Sequence, residues 1–123
     1  MMARRFGPHL TKDGVSFRLW APAARRVDLL LETPQQMQRT EDGWYVLDLP
    51  SVGAGARYKF RIDGELDVPD PGSDFQPEDV SGPSEVIDHA SFSWRATDWR
   101  GRPWQDAVFL ESHVGTFTPE GTY

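Results

Sequence analysis

The sequence contains no cysteine, almost no lysine and no long run of apolar residues. Without cysteine these residues can form no disulfide, thiolate metal site or cysteine nucleophile, and they suit a reducing compartment, so a cytoplasmic location is expected. The basic N-terminal residues lack the apolar run of a secretory signal, and nothing is long enough to span a membrane. We therefore expect no contact with a membrane.

Clustered basic charge is also scarce, since the formal net charge is -6. Nucleic-acid-binding surfaces use grouped Lys and Arg side chains to neutralise phosphates. Here the arginines are scattered except for Arg4-Arg5 and Arg25-Arg26, and each pair lies beside a turn signal. We interpret both pairs as solvated surface charge and predict no nucleic-acid partner.

Aromatic residues are plentiful, with five Trp, seven Phe and three Tyr among 123 residues. This composition excludes a disordered chain, and the length supports a single hydrophobic core. Residues 14–20 and 56–63 alternate apolar with polar side chains, which is the period of a half-buried strand. Further short strands are expected at 26–32, 36–40, 44–49, 65–68 and 85–88.

These strands are separated by turn signals, among them Asp63-Gly64, which predicts a two-residue hairpin. Six or seven short strands almost without helix indicate an all-β protein with an immunoglobulin-like antiparallel β-sandwich. Because neighbouring residues of a strand face opposite sides, only one of Trp44 and Tyr45 is expected to lie in the core.

Two later stretches differ from the sandwich pattern. Residues 69–84 are rich in Pro and Gly, which predicts a long ordered loop. Ala107 to Leu110 are apolar on consecutive positions, as in a strand that a parallel sheet buries on both faces. Such a strand needs neighbours, so we expect that the chain is cut from a longer protein at Tyr123.

Five stretches, taken in order, resemble landmarks of one family: FGPHL, GVSFRLWAPAARRVDLLLE, GARYKFRIDG, DPGSDFQPEDVSGPSEVID and ESHVGTFTPEGTY. They are similar to the bacterial malto-oligosyltrehalose trehalohydrolases, which belong to glycoside hydrolase family 13 in the α-amylase superfamily. The loop and the closing stretch carry most of this resemblance, because the front half is also similar to isoamylases and glycogen branching enzymes.

The resemblance implies three parts: an early-set β-sandwich over residues 1–94, a linker over 95–106, and the start of a (β/α)8 barrel over 107–123, with Ala107–Val114 as its first strand. It also implies a parent enzyme that cuts the α-1,4 bond next to the trehalose unit of maltooligosyl trehalose. A retaining reaction of this kind uses two carboxyl groups roughly 5 Å apart. Those groups are expected on later barrel strands, so this chain alone should be inactive and needs no cofactor.

The Pro-bounded loop would present Gln76 and Ser81, whose hydrogen-bonding groups could reach a sugar hydroxyl, with a purely structural interface as the alternative. The resemblance further implies that the loop packs against the missing barrel near the substrate cleft. The residues of this cleft or interface loop are Asp70, Phe75, Gln76, Pro77, Ser81 and Pro83.

His113 lies at the carboxyl end of the expected barrel strand and Phe117 just beyond it, at the end where barrel enzymes place their sites. Exposed aromatic rings can stack on sugars, so Trp20, Trp44 and Tyr45 are candidates, with filling of the core as the alternative.

An acidic cluster in and before the loop has two interpretations. Several carboxylates could converge on a calcium ion or form a catalytic pair. Their spacing fits no calcium loop, and turn residues account for them equally well, so no metal site is predicted. The cluster consists of Glu65, Asp67, Asp70, Asp74, Glu78 and Asp79.

Three functional hypotheses follow. The first is a non-catalytic accessory domain of a trehalohydrolase, with its own barrel and the α-glucan substrate as partners. The second is an autonomous α-glucan-binding module, and the third is the N-terminal domain of a branching or debranching enzyme. The unpaired strand Ala107–Val114, with Phe109 and Leu110 freed from the barrel, is also expected to favour self-association or pairing with an edge of the sandwich.

Overall fold

The computed structural model describes residues 6–122. The chain divides into two compact units, Met1–Phe92 and Ser93–Tyr123. We call their described parts the sandwich and the C-terminal segment. The predicted surface pair Arg4-Arg5 and the terminal Tyr123 lie outside the described residues. Among residues 6–122, no helix is long and apolar enough to cross a membrane.

The sandwich consists of two sheets in which every strand pairing is antiparallel. The strands are β1 (His9–Thr11), β2 (Gly14–Trp20), β3 (Val27–Leu30), β4 (Pro34–Gln36), β5 (Gln38–Arg39), β6 (Trp44–Leu49), β7 (Arg57–Ile62), β8 (Leu66–Val68) and β9 (Ser84–Glu85). One sheet has the order β1-β2-β6-β5, and the other has the order β4-β3-β7-β8, with β9 also paired to β7. The all-β fold class is therefore confirmed.

The alternating side chains of β2 and β7 form the centre of the core, as the sequence pattern predicts. Val15, Phe17 and Leu19 of β2 are buried, and so are Tyr58 and Phe60 of β7. Each fully buried side chain of this size stabilises the fold by about 1.5–3 kcal/mol. The rest of the core comes from Ala24, Val27, Leu29, Met37, Tyr45 and Val86.

Aromatic contacts join the two sheets at the middle of this core. The ring centroids of Phe17 and Tyr58 lie 4.8 Å apart in an edge-on arrangement. Tyr58 also meets Phe60 edge-on, with centroids 5.7 Å apart. Such pairs add about 0.5–1.5 kcal/mol to the burial of their area. Since β2 and β7 belong to different sheets, the Phe17–Tyr58 contact locks one sheet to the other.

The hairpin between β7 and β8 differs by one residue from the predicted two-residue loop. Asp63 and Gly64 have positive φ angles of 51° and 81°, as a type I′ turn requires, and the N–H of Glu65 donates to the carbonyl of Ile62. The strand register then resumes with Ile62 opposite Leu66, so Glu65 is left as an extra loop residue.

Two strands were not predicted from the sequence. β1 and β4 are three-residue strands, too short for alternation to be recognised. β4 begins at Pro34, which its position at the edge of the sheet allows, because an edge strand does not need every N–H. Several predicted strands are also shorter than expected, with β3 ending at Leu30 and β9 at Glu85.

The C-terminal segment contains no strand among its described residues. A short 3₁₀ turn covers Trp104–Asp106, and a single turn of α-helix, α1, covers Val114–Phe117. The predicted barrel strand Ala107–Val114 is therefore not formed within this chain, and α1 begins at its last residue. A parallel strand forms only beside neighbouring strands, so its place in a longer protein stays a prediction.

Candidate functional site

The loop between β8 and β9 is anchored by the buried carboxylate of Asp70. The hydroxyl of Tyr58 donates to Asp70 Oδ2 at 2.7 Å, and the N–H of Gly72 donates to Asp70 Oδ1 at 2.7 Å. The N–H of Asp70 in turn donates to the hydroxyl oxygen of buried Ser84 at 3.0 Å. Since buried carboxylates need such donors, Asp70 holds both ends of the loop to the core.

Further along the loop, the side chain of Gln76 closes a compact turn. Its Nε2 donates to the carbonyl of Val80 at 2.7 Å and to that of Asp79 at 3.3 Å. The N–H of Gly82 donates to the carbonyl of Asp79, and the N–H of Glu85 donates to that of Phe75. The amide nitrogen of Gln76 is thus used within the loop, which leaves its amide oxygen as the group for a ligand.

Basic side chains of β7 also hold the loop. Lys59 Nζ donates to the carbonyl of Ser81 at 2.8 Å, and Arg57 forms ion pairs with Glu78 at 3.0 Å and Glu85 at 3.1 Å. Exposed ion pairs contribute only about 0–1 kcal/mol each, so they orient the loop more than they stabilise it.

The remaining predicted loop residues lie at its surface. Phe75 is 46% exposed and Ser81 is exposed, while Pro77 and Pro83 are half-buried. Proline fixes φ and removes an N–H donor, so Pro77 and Pro83 limit the conformations of the turn closed by Gln76. The loop is therefore a rigid projection with an apolar ring and a hydroxyl at its surface.

The acidic residues in and before the loop do not converge on one point. Asp67 pairs with Arg61 at 2.6 Å, and Asp74 Oδ2 lies 2.9 Å from His89 Nε2. The hydrogen bond from Arg61 lowers the pKa of Asp67 below its usual value. Within the described part of the chain, no group of three or more metal-ligating side chains could hold an ion.

Of the three aromatic stacking candidates, Tyr45 lies in the core. It is 1% exposed, and its hydroxyl donates to the carbonyl of Ala24 at 2.7 Å. A ring in this position has no face for a sugar, so its placement agrees with the alternative that it fills the core. Its neighbour Trp44 projects to the other side of the sheet, as the strand geometry requires.

Trp44 is nevertheless buried, although it lies outside the core cluster that contains Tyr45, so only one of the two rings is in that core, as expected. The ring of Phe6 lies 5.3 Å from that of Trp44, and the guanidinium of Arg18 lies 5.3 Å from its centroid. These two side chains cover the outer face of the sheet at this point. Trp20, across the strand pair from Trp44, remains 54% exposed.

Trp20 lines a groove that the sequence analysis did not predict. The groove has a volume of about 250 Å³ and runs between the end of β2 and the start of the loop. A β-carbon at Gly72 would lie 2.5 Å from the backbone nitrogen of Gly7, so a glycine is required where the two segments meet. The lining residues are Phe6, Gly7, Arg18, Leu19, Trp20, Asp70, Pro71 and Gly72.

The groove brings together two predicted site residues, Trp20 and Asp70, that are fifty positions apart in the sequence. Because side chains alternate along β2, Arg18 lies on the same face as Trp20, and the sequence pattern alone could have shown this. Phe6, Pro71 and Gly72 carried no such signal, because only folding brings them to this face.

A second hollow, of about 440 Å³, lies elsewhere on the sandwich beside the turn from β3 to β4. No aromatic ring lines it, so it offers no stacking surface. Its lining residues are Leu31, Glu32, Thr33, Gln35, Ser51, Val52, Gly53, Ala54, Ala56 and Arg57.

The C-terminal segment holds the last two predicted site residues. His113 precedes α1 in an extended conformation, and its carbonyl accepts the N–H of Thr116 at 3.1 Å. Phe117, at the end of α1, lines a hollow of about 200 Å³ together with Ser112 and Val114. His113 does not line this hollow, so the structure does not join the two residues in one site.

Comparison with known proteins identifies the class. The profile of carbohydrate-binding module 48, the isoamylase N-terminal domain, matches residues 5–80. The chain belongs to this family. It is also similar to the malto-oligosyltrehalose trehalohydrolase of Deinococcus radiodurans, with 49% identity over 111 residues that cover 89% of this chain and 18% of the relative.

A crystal structure of a Salmonella typhimurium protein described as an alpha amylase superposes with a TM-score of 0.79 at 45% identity. It covers 98% of this chain, which spans 21% of that protein. The branching enzyme GlgB of Thermosynechococcus vestitus is 32% identical over 109 residues, covering 77% of this chain and 14% of the relative. The chain thus spans about a fifth or less of these relatives.

Proposed function

We propose that this chain is the accessory module of a glycoside hydrolase that releases trehalose from maltooligosyl trehalose. The observation that carries the proposal is the length of the match to the Deinococcus radiodurans trehalohydrolase. Its 111 aligned residues exceed the 92 residues of the first unit, so the similarity extends into the C-terminal segment. A relative that shared only the sandwich would not need to be similar in the C-terminal segment.

In this proposal the module forms one rigid wall of the substrate cleft, and the catalytic residues lie in the missing barrel. Hydrolysis of a glycosidic bond uses two carboxyl groups facing one bond. Here Asp67, Asp74 and Glu78 are each held by a basic partner, and Asp70 is held by Tyr58. The loop that Asp70 anchors would face the missing barrel, and it would present Phe75, the amide oxygen of Gln76 and the hydroxyl of Ser81 to substrate.

A chimera tests this function directly. The matched region of the Deinococcus radiodurans enzyme would be replaced by this chain, and trehalose release from maltooligosyl trehalose would be measured. We expect the chimera to release trehalose and a matched deletion of the same region to lose activity. A folded but inactive chimera, or a deletion as active as the parent, would contradict the proposal.

The role of the loop is tested in the same chimera by Ser81→Ala, with Ser51→Ala in the sandwich as the matched control. Removal of a hydroxyl that contacts substrate costs about 0.5–1.5 kcal/mol, so we expect KM to rise a few-fold. Unchanged KM and kcat in Ser81→Ala would limit the loop to a structural role.

The second candidate is an autonomous α-glucan-binding module, which the exposed Trp20 groove favours. Calorimetric titration of this chain with maltooligosaccharides, beside a hydrolysis assay, separates the two functions. Saturable binding without hydrolysis would support the binding module. If the chain shows neither binding nor hydrolysis, the result would support an accessory module that acts only when the catalytic barrel is attached. The similarity to GlgB keeps a branching enzyme as a third candidate, and its products would contain no trehalose.

We also propose that the isolated chain self-associates through Val108, Phe109 and Leu110, which are at least 72% exposed. Sedimentation at increasing concentration should show dimers or larger species, and Leu110→Asp should reduce them. A monomer at all concentrations would contradict this. A cytoplasmic location also belongs to the proposal, and fractionation of the native host checks it.

A further inference from the structure

Three Asp-Gly dipeptides occur at turns between strands of the sandwich: Asp13-Gly14, Asp42-Gly43 and Asp63-Gly64. Because glycine has no side chain, its backbone nitrogen can approach the carboxyl group of the preceding aspartate closely. Attack of this nitrogen on the side-chain Cγ closes a succinimide ring, which opens to β-linked isoaspartate. The three dipeptides are alike in sequence, but their surroundings in the fold differ.

At Asp63 the carboxylate is restrained. Its Oδ1 accepts the backbone N–H groups of Arg26 at 2.9 Å and Arg25 at 2.8 Å, and these bonds lower the pKa of Asp63. Ring closure expels one carboxyl oxygen as water, so the protonated carboxyl is the form that reacts. A carboxyl group that two donors hold in its charged form therefore resists succinimide formation.

At Asp42 the backbone is restrained instead. The indole N–H of Trp20 donates to the carbonyl of Asp42 at 3.2 Å, and the N–H of Gly43 donates to the carbonyl of Thr40 at 3.3 Å. Gly43 is also buried, and a β-carbon there would lie 2.7 Å from the side chain of Pro22. Ring closure requires the glycine nitrogen to rotate toward Cγ, and these contacts oppose that rotation.

At Asp13 both restraints are weaker. The residue is exposed, and its carboxylate makes no hydrogen bond or ion pair with any residue between 6 and 122. The turn is closed by the exposed hydroxyl of Thr11, which donates to the carbonyl of Gly14 at 3.1 Å and accepts the N–H of Asp13 at 3.3 Å. Exposed hydrogen bonds compete with water, so they restrain the turn only weakly.

The hairpin of β1 and β2 can also open at low cost. β1 is an edge strand of three residues, none of which is buried as a whole. The Nε2 atom of His9 is buried without a hydrogen-bond partner in the described part of the chain, which lowers the stability of β1 further. Gly14 packs against the backbone of Leu49 in the closed hairpin, but it precedes Val15, where pairing with β6 begins. Local opening at this end therefore releases Gly14 and leaves the core intact.

We propose that Asp13 is a modification site at which the chain forms isoaspartate through a succinimide. The nitrogen of Gly14 bonds to Cγ of Asp13, and one carboxyl oxygen leaves as water with the amide proton. A second water molecule opens the ring: attack at Cγ restores aspartate, and attack at the α-carbonyl gives isoaspartate. The free α-carboxylate of isoaspartate is the group that isoaspartyl methyltransferases methylate with S-adenosylmethionine. This inference does not depend on the function proposed above.

Incubation of the folded chain in H₂¹⁸O at mildly acidic pH tests the site, because each ring opening adds one ¹⁸O atom. Trypsin digestion in ordinary water then separates the three dipeptides into residues 13–18, 40–57 and 62–95, which mass spectrometry reads individually. We expect Asp13 to gain label and isoaspartate about ten-fold faster than Asp42 or Asp63, because near-attack geometry is accessible only there. In urea, where the turns are lost, the three should react at comparable rates.

Variants test the cause of this selectivity. Asp13→Glu should abolish labelling of its peptide, because the larger ring that Glu would have to form closes far more slowly. Thr11→Val keeps the shape of an exposed side chain and removes the hydroxyl that holds the turn, so it should raise the rate at Asp13 a few-fold. Thr40→Val is the matched control, since the Thr40 hydroxyl donates to the carbonyl of Trp44 at 3.3 Å in another turn. It should leave the rate at Asp13 unchanged.

Two results would overturn the inference. One is equal labelling of the three sites in the folded chain. The other is no label at Asp13 over a period in which the chain in urea is labelled. A rate at Asp13 that Thr11→Val does not raise would contradict the role of turn opening. Methylation of the incubated chain by an isoaspartyl methyltransferase, absent from Asp13→Glu, would confirm the β-linked product.

Discussion

The sandwich and the C-terminal segment are both rich in aromatic residues, yet among the described residues only the sandwich buries any of them. Phe17, Tyr58 and Phe60 are at most 1% exposed in the sandwich, whereas Trp94, Trp99, Trp104, Phe109 and Phe117 are 60–75% exposed in the C-terminal segment. Aromatic content therefore does not decide burial in this chain. The difference lies in the spacing of these residues and in the partners available to them.

In β2 and β7, apolar side chains alternate with polar ones, so each strand buries one face against the opposite sheet. At Val108–Leu110 the apolar residues are consecutive, so burial would need cover on two faces. Among the described residues of the C-terminal segment, none is buried. The alternating pattern is enough to form a core between two sheets. The consecutive pattern at Val108–Leu110 needs further strands on both sides before it can be buried.

The largest effect is expected from Phe17→Ala, compared with Trp104→Ala in the C-terminal segment. Loss of a fully buried Phe costs about 3–5 kcal/mol, which is a large share of the stability of a small domain. Trp104 is exposed and contacts Phe109 at 5.1 Å, so its loss should cost less than about 0.5 kcal/mol. Urea denaturation of both variants measures the loss in free energy of unfolding. Equal losses would contradict the proposed contrast between the two regions.

A smaller effect is expected within the loop, from Asp70→Ala with Glu78→Ala as its control. Asp70 accepts hydrogen bonds from Tyr58 and Gly72 at a buried position, so its removal should cost about 1–3 kcal/mol and increase hydrogen exchange between residues 71 and 83. Glu78 forms an exposed ion pair with Arg57, so its removal should be nearly neutral. If the two variants exchange alike, Asp70 is not the anchor.

A weaker, pH-dependent effect is expected at the β7–β8 turn. The backbone N–H groups of Arg26 and Arg25 donate to Asp63 Oδ1 at 2.9 and 2.8 Å and lower the pKa of Asp63. A carboxyl whose pKa is lower in the folded state stabilises the fold above its unfolded pKa and loses this contribution as the pH falls through its folded pKa.

Asp63→Asn isolates this contribution, because Asn also tolerates the positive φ of the turn. The variant should melt below the wild type at neutral pH. The gap should narrow as the pH falls below about 4, the ordinary pKa of Asp, and should close below the lower pKa of Asp63 in the folded state. Melting curves from pH 2 to 7 provide the measurement. A constant gap across this range would show that charge is not involved.

The smallest effect is expected from removal of residues 93–123. Every core residue lies between Val15 and Val86, so the shortened chain should keep its Tm within about 2 °C, which corresponds to a few tenths of a kcal/mol. Differential scanning calorimetry of the two chains is the test. A large loss of Tm would mean that the C-terminal segment supports the sandwich after all.

Much of the fold was open to prediction because alternation is a local signal. The inward positions of β2 and β7, the turn at Asp63-Gly64 and the ordered loop could all be recognised from neighbouring residues. The strands β1 and β4 could not, since three residues carry too little pattern. The candidate groove was not predicted, although Trp20 and Asp70 were each candidates for another site, because its lining comes from separate segments of the chain.

The sequence by itself determined the two-sheet sandwich and the position of the loop, because spacing and turn chemistry act over a few residues. Only the tertiary structure decided that Trp44 is covered by Phe6 and Arg18, that Gln76 bonds to its own loop, and that Trp20 and Pro71 line one groove. These outcomes depend on contacts between residues far apart in the chain. The physical reason is that a hydrogen bond or a covered ring is a property of position in space, which local periodicity does not specify.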